Sequence, residues 1–430
     1  MTRPLIEQAL DRTLLLMRDD LREEVTDAQL VRALTSTCVA LVAGEEDLRT
    51  HSAQCAFVTA ALQMARSAHR VTLVAPDVLL IGAQPPLIQS RLISGLVEVG
   101  QDLLPGVEFS TSMPDEPVDL AVHFGQQVLV VAARSICVNA SAWAAQIQPV
   151  AAARPWAAAG WPLGAIAAGA LAASEAFKHA MRSLSEFAKD DALFSEMYAP
   201  VDRLTFEVAP ASTPQLPTLG EIDVVSAGAI THAALYVLLR VPEVSGRGRV
   251  LDPESTDLPN LNRYGLLRRS KVEHGKTRLL RDLASPHLLL EPVEASFQYS
   301  VINLHRRVIV GVDDIPTRWR VQEKKPQWLG VGATTHWNAM ASHHYRGVAC
   351  AHCLHPRDDV DVGRIPTVPF VSLFAGLFLA SYLLRSAAGE RVRPGEQYVY
   401  FSPLRPERVW WSPVSERLMC PTCATLKVAA

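Results

Sequence analysis

The sequence predicts an α/β protein of two domains, each built around a parallel sheet with crossover helices. Three observations support this fold class. Short apolar strands alternate with longer helical segments along the chain. The same order of elements occurs twice. A stretch rich in Pro, Ser and Thr, residues 207–221, has no apolar period and divides the chain nearly in half.

The first half begins with a strand–helix–strand unit and continues with a further strand and a long helix. The strands are predicted at 38–44, 70–77 and 118–125, and the helices at 51–69 and 165–181. This order is typical of parallel strands joined by right-handed crossovers.

The second half repeats that order. Its strands are predicted at 222–228, 248–254 and 306–314, and its helices at 231–239 and 372–385. The late helix of each half contains an Ala-Gly pair followed by Ala-Ser, as AGALAAS and AGLFLAS. We therefore expect an internal duplication, the alternative being coincidence between two ordinary α/β domains.

We expect an N-terminal domain at 1–210, a linker at 211–220 and a C-terminal domain at 221–430. The first 25 residues carry charges throughout, so they indicate an amphipathic helix and no signal peptide. Two uncharged stretches, 155–174 and 365–384, are long enough to span a membrane, but their Ala, Gly and Pro content favours buried helices.

Composition narrows the function classes. The chain is 49% hydrophobic and 20% charged, which is ordinary for a packed globular protein of 430 residues. A net charge of -3 and the absence of a basic patch interleaved with aromatics give no reason to expect nucleic acid. Seven cysteines, four of them in tight pairs, do not form a secreted disulfide framework, so we expect a reducing cytoplasm.

Two CxxC pairs predict a metal site. Cys350 and Cys353 form one pair, and Cys420 and Cys423 form the other. Four thiolates in two tight turns suit tetrahedral zinc, and a closed site of four cysteines leaves no open position for catalysis. A redox CxxC is the alternative, although such pairs usually open a helix and act singly.

Polar residues collect where the strands of the second half end. Asp252 follows one strand, Asn260 and Arg263 lie in the loop beyond it, and Asp313 follows another strand. Ligands of open α/β sheets bind at the carboxyl ends of the strands. There, Asp252 would bind ribose hydroxyls, Arg263 and Asn260 phosphate oxygens, and Asp313 magnesium.

The second half, about residues 217–430, resembles the ThiF/MoeB adenylyltransferases, whose fold is shared with ubiquitin-activating enzymes. The resemblance rests on an ordered set of motifs rather than on one. The matching segments are SAGAIT (226–231), Asp252, NLNR (260–263), HGKTR (274–278), DDIPTR (313–318) and the four cysteines.

The resemblance implies a Rossmann-like adenylation domain with a zinc knuckle, preceded by a degenerate copy of it. It implies ATP, magnesium and zinc as cofactors. The implied reaction is adenylation of the C-terminal carboxylate of a ubiquitin-like protein or a peptide. The implied nucleotide-binding residues are Gly228, Asp252, Asn260, Arg263 and Asp313.

The sequence departs from that family at two places. The family's G-x-G-x-x-G loop is here Ser226, Gly228 and Thr231, with one glycine retained. The family's catalytic lysine falls by spacing at Arg278, whereas Lys276 lies two residues earlier, so either could neutralise charge on the α-phosphate.

A thioester relay on this chain is not expected. The crossover before the last long helix, residues 363–376, contains no cysteine, and Ser372 would need a base to become a nucleophile. The sequence ends seven residues after Cys423, without a region that would recruit a conjugating enzyme. We expect the adenylate to be the final product or to pass directly to a sulfur donor or an amine.

The first half keeps the pattern of elements without the chemistry. Its turn AGEEDL (43–48) puts acids where phosphates would lie, and no CxxC pair follows. We expect an intramolecular pseudo-dimer, with a homodimer also open, in which the first half lends an arginine to the second. The candidates on the N-terminal helix are Arg3, Arg12, Arg18 and Arg22. An unrelated domain that recognises a peptide or protein is the alternative.

Two other functions remain open at this stage. A degenerate scaffold that binds a peptide or partner protein would explain the altered glycine loop. An NAD-binding oxidoreductase would share the strand–turn–helix unit but would not explain the two cysteine pairs or Asp313.

Overall fold

The computed structural model describes residues 4–113, 115–125, 130–156, 160–209, 218–242, 244–356, 365–390 and 393–423. The expected linker at 211–220 lies mostly outside these residues, as does Arg3. The residue boundaries of the two domains therefore stay a prediction.

The first half forms a seven-stranded sheet in the order β3-β2-β1-β4-β5-β6-β7. The first five strands in that order are parallel, and the last two are antiparallel to their neighbours. The strands are β1 (Cys38–Ala43), β2 (Arg70–Val74), β3 (Phe109–Ser110), β4 (Val118–Phe124), β5 (Ala132–Ala140), β6 (Ala144–Pro149) and β7 (Leu204–Glu207).

Seven α-helices belong to the described part of this half. The predicted single N-terminal helix is divided at Leu10 into two, α1 and α2. The helices are α1 (Leu5–Ala9), α2 (Asp11–Asp20), α3 (Asp27–Ser36), α4 (His51–Arg66), α5 (Leu92–Gly100), α6 (Leu163–Arg182) and α7 (Asp191–Met197).

The second half forms an eight-stranded sheet in the order β10-β9-β8-β11-β12-β13-β14-β15. Again five strands are parallel and the remaining ones antiparallel. The strands are β8 (Thr218–Val225), β9 (Ser245–Leu251), β10 (Leu288–Val293), β11 (Arg307–Val310), β12 (Trp328–Thr335), β13 (Asn338–Tyr345), β14 (Tyr398–Phe401) and β15 (Val409–Ser412). Its described helices are α8 (Ala229–Leu238), α9 (Lys276–Leu283), α10 (Ile315–Glu323), α11 (Ala351–Leu354) and α12 (Pro369–Ala387).

The two sheets have the same topology through seven strands, which confirms the predicted fold class and its repeated order. In each half the helix after the first strand packs against the late helix, α4 against α6 and α8 against α12. Antiparallel strands β6, β7, β13, β14 and β15 were not anticipated from the sequence.

The Ala-Gly pair of each late helix marks a close helix crossing. A Cβ at Gly169 of α6 would lie 2.4 Å from the carbonyl oxygen of Ala56 in α4. A Cβ at Gly376 of α12 would lie 2.5 Å from the backbone nitrogen of Ala234 in α8. Only glycine permits such an approach, because any side chain would overlap the facing backbone. The repeated motif is therefore a repeated packing contact.

Helix α12 is the described helix that is long and apolar enough to cross a membrane, with a mean hydropathy of 1.6. In the structure 89% of its most apolar window is buried inside the protein. This degree of burial is that of a core helix, as the sequence predicted for the stretch 365–384.

The two halves share one apolar core. Phe177 of α6 packs edge-on against Phe370 of α12, with ring centroids 5.5 Å apart. Phe206 of β7 packs in the same way against Phe374 of α12 at 5.5 Å. Residues of both halves belong to a single hydrophobic cluster, so burial at this interface stabilises both sheets together.

A half-buried histidine also joins the halves. His51, the first residue of α4, contacts the carbonyl oxygen of Ile81 through Nδ1 and that of Arg240 through Nε2, the latter at 2.6 Å. Two carbonyl acceptors require both ring nitrogens to donate, which is the protonated imidazolium. Burial opposes this charge, but Cys55 and the two carbonyl groups more than offset it and raise the pKa of His51 to about 9.

We predict that stability falls as the pH rises through 9. Because the folded pKa of His51 lies above its unfolded value near 6.5, the stabilisation is complete below about pH 6.5 and lost above 9. It amounts to at most about 3 kcal/mol. Urea unfolding at pH 6.5 and 9.5 would measure it. His51→Gln should flatten this pH dependence and the exposed control His274→Gln should keep it; an unchanged slope in His51→Gln would contradict the assignment.

Candidate functional site

A cavity of about 380 Å³ lies at the carboxyl ends of β8, β9 and β11. Its volume is in the range of small-molecule sites, roughly 300–1,000 Å³. This is the point where the strand order of a doubly wound sheet reverses, with β8 between β9 and β11. The polar and charged residues that line it are Arg12, Ser226, Asp252, Glu254, Arg263, Tyr264, Lys276, Ser296, Gln298, Asp313, Asp314, Thr317, Thr334, Thr367 and Ser372.

The turn between β8 and α8 forms one wall. Gly228 is the N-cap of α8, so the positive end of that ten-residue helix faces the cavity. Ser226 has a φ of 81°, a conformation that favours glycine. Its hydroxyl accepts a hydrogen bond of 3.1 Å from the amide of Gly228. The serine therefore uses an amide that would otherwise face a ligand.

Asp252 is buried beside this turn. Its Oδ2 accepts a hydrogen bond of 2.8 Å from the amide of Ala227, and its Oδ1 one of 2.9 Å from the amide of Glu254. The two amides fix the carboxylate between the turn and the end of β9. This is the position expected of an acid that binds ribose hydroxyls.

Arg263 lines the cavity, whereas Asn260 does not. The Asn260 side chain accepts a 2.9 Å hydrogen bond from the amide of Asp257 and so closes a capping box. The Asn260 side chain thus takes part in the loop's own turn, and its contact with phosphate stays a prediction. Arg263 contacts the carbonyl oxygen of Pro259 and keeps its guanidinium at the cavity.

Arg12 of α2 reaches the same cavity from the first half of the chain. Burial lowers the pKa of Arg263, and the nearby charge of Arg12 lowers it further, whereas Asp313 raises it. Two guanidinium groups that repel each other across one cavity favour an anion between them. Of the three predicted donor arginines that the structure describes, Arg12, Arg18 and Arg22, Arg12 is the one that lines the cavity.

Helix α2 is held by contacts at the residue after Arg12 and at its last residue, Asp20. Thr13 accepts a 2.9 Å hydrogen bond from the side-chain amide of Asn262, and both groups are buried. At the end of the helix Asp20 accepts hydrogen bonds from Tyr198 at 2.7 Å and Trp337 at 2.6 Å. The direction of Arg12 is thus set by contacts with both halves.

Lys276 lies at the cavity, and Arg278 lies outside it. Lys276 Nζ forms an ion pair of 2.5 Å with Glu254. Burial opposes the charge of Lys276, but Tyr264, Glu254 and Asp252 more than offset it, so its pKa is raised. Arg278 is exposed and pairs with Glu294 at 2.6 Å. Of the two basic residues that the sequence left open, Lys276 is therefore the one at this cavity, and Arg278 in the first turn of α9 faces solvent.

The two acids after β11 have different surroundings. Asp314 caps α10, accepting a 2.7 Å hydrogen bond from the amide of Thr317 and one of 2.8 Å from Gln298. The carboxylate of Asp313 is exposed at the cavity and receives no hydrogen bond from the described residues. Asp313 is therefore the acid of the pair that could hold a cation.

Tyr264 is a site residue that the sequence did not single out. Its ring lies 5.5 Å from the Arg263 guanidinium and 5.7 Å from Lys276 Nζ. It packs against the buried His232, with ring centroids 4.5 Å apart and the ring planes tilted by 36°. Its position directly after Arg263 was the available signal, but the contact with Lys276 depends on the fold.

Ser372 lines the cavity near the start of α12, and its hydroxyl lies 3.2 Å from that of Thr367. Among the described residues that line the cavity, none is a cysteine. The hydroxyl pair itself contains no base, which a hydroxyl would need to become a nucleophile.

The first half also supports the loop that carries Arg263. Arg66, at the end of α4, is fully buried and donates to the carbonyl oxygens of Leu261 at 2.5 Å, Gly265 at 3.1 Å and Leu267 at 2.7 Å. Burial lowers its pKa to about 10, which still leaves it charged at neutral pH. One side chain of the first half therefore determines the shape of a loop in the second.

The equivalent crevice of the first half is filled by its own side chain. Asp47 is buried, and a Cβ on Gly125 would lie 2.1 Å from its Oδ1. The same carboxylate accepts a hydrogen bond of 3.4 Å from the amide of Trp156. Because a carboxylate already occupies the space between the ends of β1 and β4, a phosphate would meet both repulsion and overlap.

The four cysteines of the two CxxC pairs come together in the structure. Their sulfur atoms lie within 4.8 Å of one another, and all four residues are buried. Individual sulfur–sulfur distances run from 3.3 to 3.7 Å. Tetrahedral zinc with Zn–S bonds near 2.3 Å needs about 3.8 Å, and a disulfide needs about 2.05 Å. The cluster could therefore hold zinc and contains no disulfide.

Two sequence comparisons match part of the chain. The model of a family described as "BilD N-terminal domain" matches residues 38–197, from β1 to α7. An uncharacterized protein, y4jF, from Sinorhizobium fredii (strain NBRC 101917 / NGR234) is 33% identical over 144 residues. That match covers 32% of this chain and only 28% of the relative.

Solved structures resemble the chain in part. E. coli MccB with MccA has a TM-score of 0.40 at 13% identity, covering 47% of this chain and 66% of MccB. MccB with N-formylated MccA gives a TM-score of 0.41 at 13% identity, covering 47% and 67%. PaaA gives 0.36 at 13% identity, covering 45% and 64%. The function is therefore inferred from the cavity itself.

We predict that the cysteine cluster binds about one zinc per chain and that Cys350→Ser lowers this content. Loss of one thiolate should also lower the melting temperature, because a structural metal contributes folding energy. Elemental analysis and thermal unfolding would measure both. Cys38→Ser, outside the cluster, is the control. Equal zinc content in both variants would contradict the assignment.

Proposed function

We propose that the cavity of the second half binds Mg-ATP and that the chain adenylates the C-terminal carboxylate of a peptide or ubiquitin-like protein. The observation that carries the proposal is the convergence of Arg12, Arg263, Asp252 and Asp313 on one cavity. Two guanidinium groups suit the phosphates, and one exposed carboxylate suits the accompanying cation.

The proposed reaction is a displacement at the α-phosphorus. A carboxylate oxygen of the substrate forms a bond to phosphorus, the bond from phosphorus to the β-phosphate oxygen breaks, and pyrophosphate leaves. Asp252 would bind the ribose, and Arg263 and Arg12 would bind and orient the phosphate chain. Bound through Asp313, magnesium would supply positive charge to the phosphates.

Lys276 is proposed to act on the transition state. Its pairing with Glu254 holds the ammonium at the cavity edge before nucleotide binds. Charge that develops on the α-phosphate oxygens would attract the ammonium away from the carboxylate. The pair would then serve as a prepositioned cation, and Glu254 would be free to turn to solvent.

A scaffold without catalysis is the second candidate. It is favoured by the serine turn, since Ser226 and Asp252 already accept from the amides of Gly228 and Ala227. It is disfavoured by the exposed Asp313 and by Arg12, which a peptide-binding scaffold would not need at the same place. Binding of Mg-ATP separates the two candidates.

We predict micromolar binding of Mg-ATP to the zinc-loaded protein by calorimetry, and weaker binding by Asp313→Ala and Arg12→Ala. Removal of a charge-assisted hydrogen bond should weaken Arg12→Ala about tenfold to a hundredfold. Arg22→Ala is the matched control, because Arg22 is exposed. Asp313→Ala should bind ATP without magnesium as the wild type does.

If the folded wild-type protein does not bind Mg-ATP, the enzyme proposal is wrong and the scaffold is favoured. If Mg-ATP binds, pyrophosphate exchange with peptides that end in a free carboxylate is the second step. Exchange that no peptide or ubiquitin-like protein stimulates would count against the proposed substrate class.

We predict that Ser226→Gly strengthens Mg-ATP binding. Glycine removes the hydroxyl that accepts from the Gly228 amide and fits the φ of 81° without strain. One amide restored to the ligand corresponds to about threefold to tenfold in Kd. Calorimetry beside Ser226→Ala separates the two effects, since alanine removes the hydroxyl and keeps the strain. Weaker binding by Ser226→Gly would mean that the hydroxyl itself contacts the nucleotide.

A further inference from the structure

The cysteine cluster and the carboxylate of Asp313 are connected by one buried side chain, Arg318 of α10. Its Nε and Nη2 donate to the carbonyl oxygen of Val312 at 3.1 and 2.8 Å. Its Nη1 lies 3.2 Å from Nε2 of His355. His355 follows Cys353, the second cysteine of the first CxxC pair, by two residues. The guanidinium thus joins the residue before Asp313 to the end of α11.

Helix α10 is docked on the cysteine segment along its length. Trp319 stacks on His352 at 4.1 Å with an interplanar angle of 9°, and its Nε1 donates to the carbonyl oxygen of His355 at 2.8 Å. Further along, Gln322 accepts a 3.1 Å hydrogen bond from the amide of Ala351. The cluster therefore supports the helix whose first turn begins directly after Asp313.

Arg318 is poorly explained by stability alone. It is 5% exposed, and burial lowers its pKa while Asp313 and Asp314 raise it. No carboxylate among the described residues forms an ion pair with it. A buried guanidinium without a paired carboxylate is costly unless the groups it joins, here the Val312 carbonyl of the loop and His355, must be held in one position. That loop carries the single acid proposed to hold the cation.

We propose that Arg318 is a positioning residue that transmits the folded state of the cysteine–metal cluster to Asp313. The predicted effect on nucleotide binding rests on the proposed function, whereas the physical link from the cysteine cluster through Arg318 to the Val312 carbonyl does not. With metal bound, α11 is fixed, His355 orients Arg318, and Arg318 holds the Val312 carbonyl. Loss of the metal would release the segment 311–317 and so weaken the binding of magnesium nucleotide.

The test compares Arg318→Met with Arg320→Met in the full-length, zinc-loaded chain. Both remove an arginine from α10, but Arg320 is exposed. Hydrogen exchange in a peptide spanning residues 309–317 reports the link without any nucleotide, because the amides of Gly311 and Thr317 are hydrogen-bonded there. We expect about tenfold faster exchange in Arg318→Met, unchanged exchange in Arg320→Met, and normal zinc content in both.

Zinc removal provides the second arm. A chelator should accelerate hydrogen exchange of residues 309–317 in the wild type. In Arg318→Met the further acceleration should be much smaller, because the contact through Arg318 is already absent. If zinc removal accelerates exchange equally in both proteins, Arg318 does not carry the coupling and the proposal is overturned. His355→Leu, which removes the acceptor and keeps the four cysteines, should reproduce the effect if Arg318→Met folds poorly.

Calorimetry with Mg-ATP and with ATP in excess chelator completes the design. We expect the Kd for Mg-ATP to rise about tenfold in Arg318→Met, with little change for ATP alone. Faster exchange with an unchanged Mg-ATP Kd would overturn the positioning role. If the wild type binds no nucleotide at all, the proposed function fails, while the exchange experiment still decides whether the link exists.

Discussion

The cavity depends on contact between the two halves of the chain. Arg66 of the first half donates to three carbonyl oxygens of the loop that carries Arg263; it is fully buried and forms no ion pair with a carboxylate in the described part of the chain. Both terminal nitrogens of this guanidinium donate to those carbonyl oxygens, which offsets much of the cost of burying the charge, whereas its Nε has no hydrogen-bond partner among the described residues. The second half alone would lose this support and would expose the apolar faces of α8 and α12. The duplicated architecture is thus a requirement of the site.

The two halves share one topology but differ in the crevice between their first and fourth strands, which are β1 and β4 in the first half and β8 and β11 in the second. In the second half the crevice is open and lined by opposite charges. In the first half the side chain of Asp47 fills this crevice. The first half instead contributes Arg12 and Arg66 to the site of the second half. Because only the second half has an open crevice, the strand-end motifs occur in the second half and not in the first.

The open crevice is already partly satisfied by its own residues. Ser226 and Asp252 accept from two amides of the turn, and Glu254 pairs with Lys276. These contacts lower the free energy of the empty site, and a ligand must replace them. We therefore expect weaker ligand binding than at a turn whose amides are all unoccupied. Asp313 and the two guanidinium groups are the parts that a ligand would complete. The cysteine cluster lies outside the cavity and acts on it through α10.

The sequence by itself determined the strands and helices with strong patterns, the repeated order, the four cysteines and most strand-end residues. Those features depend on local periodicity and on spacing, which the chain carries wherever it folds. It did not determine that Asn260 closes a turn, that Arg278 faces solvent, or that Tyr264 lies under two cations. It allowed four arginines as donors, and only the tertiary structure selected Arg12. These outcomes depend on distances between residues far apart in sequence, which are set when α2 and α4 pack on the second sheet.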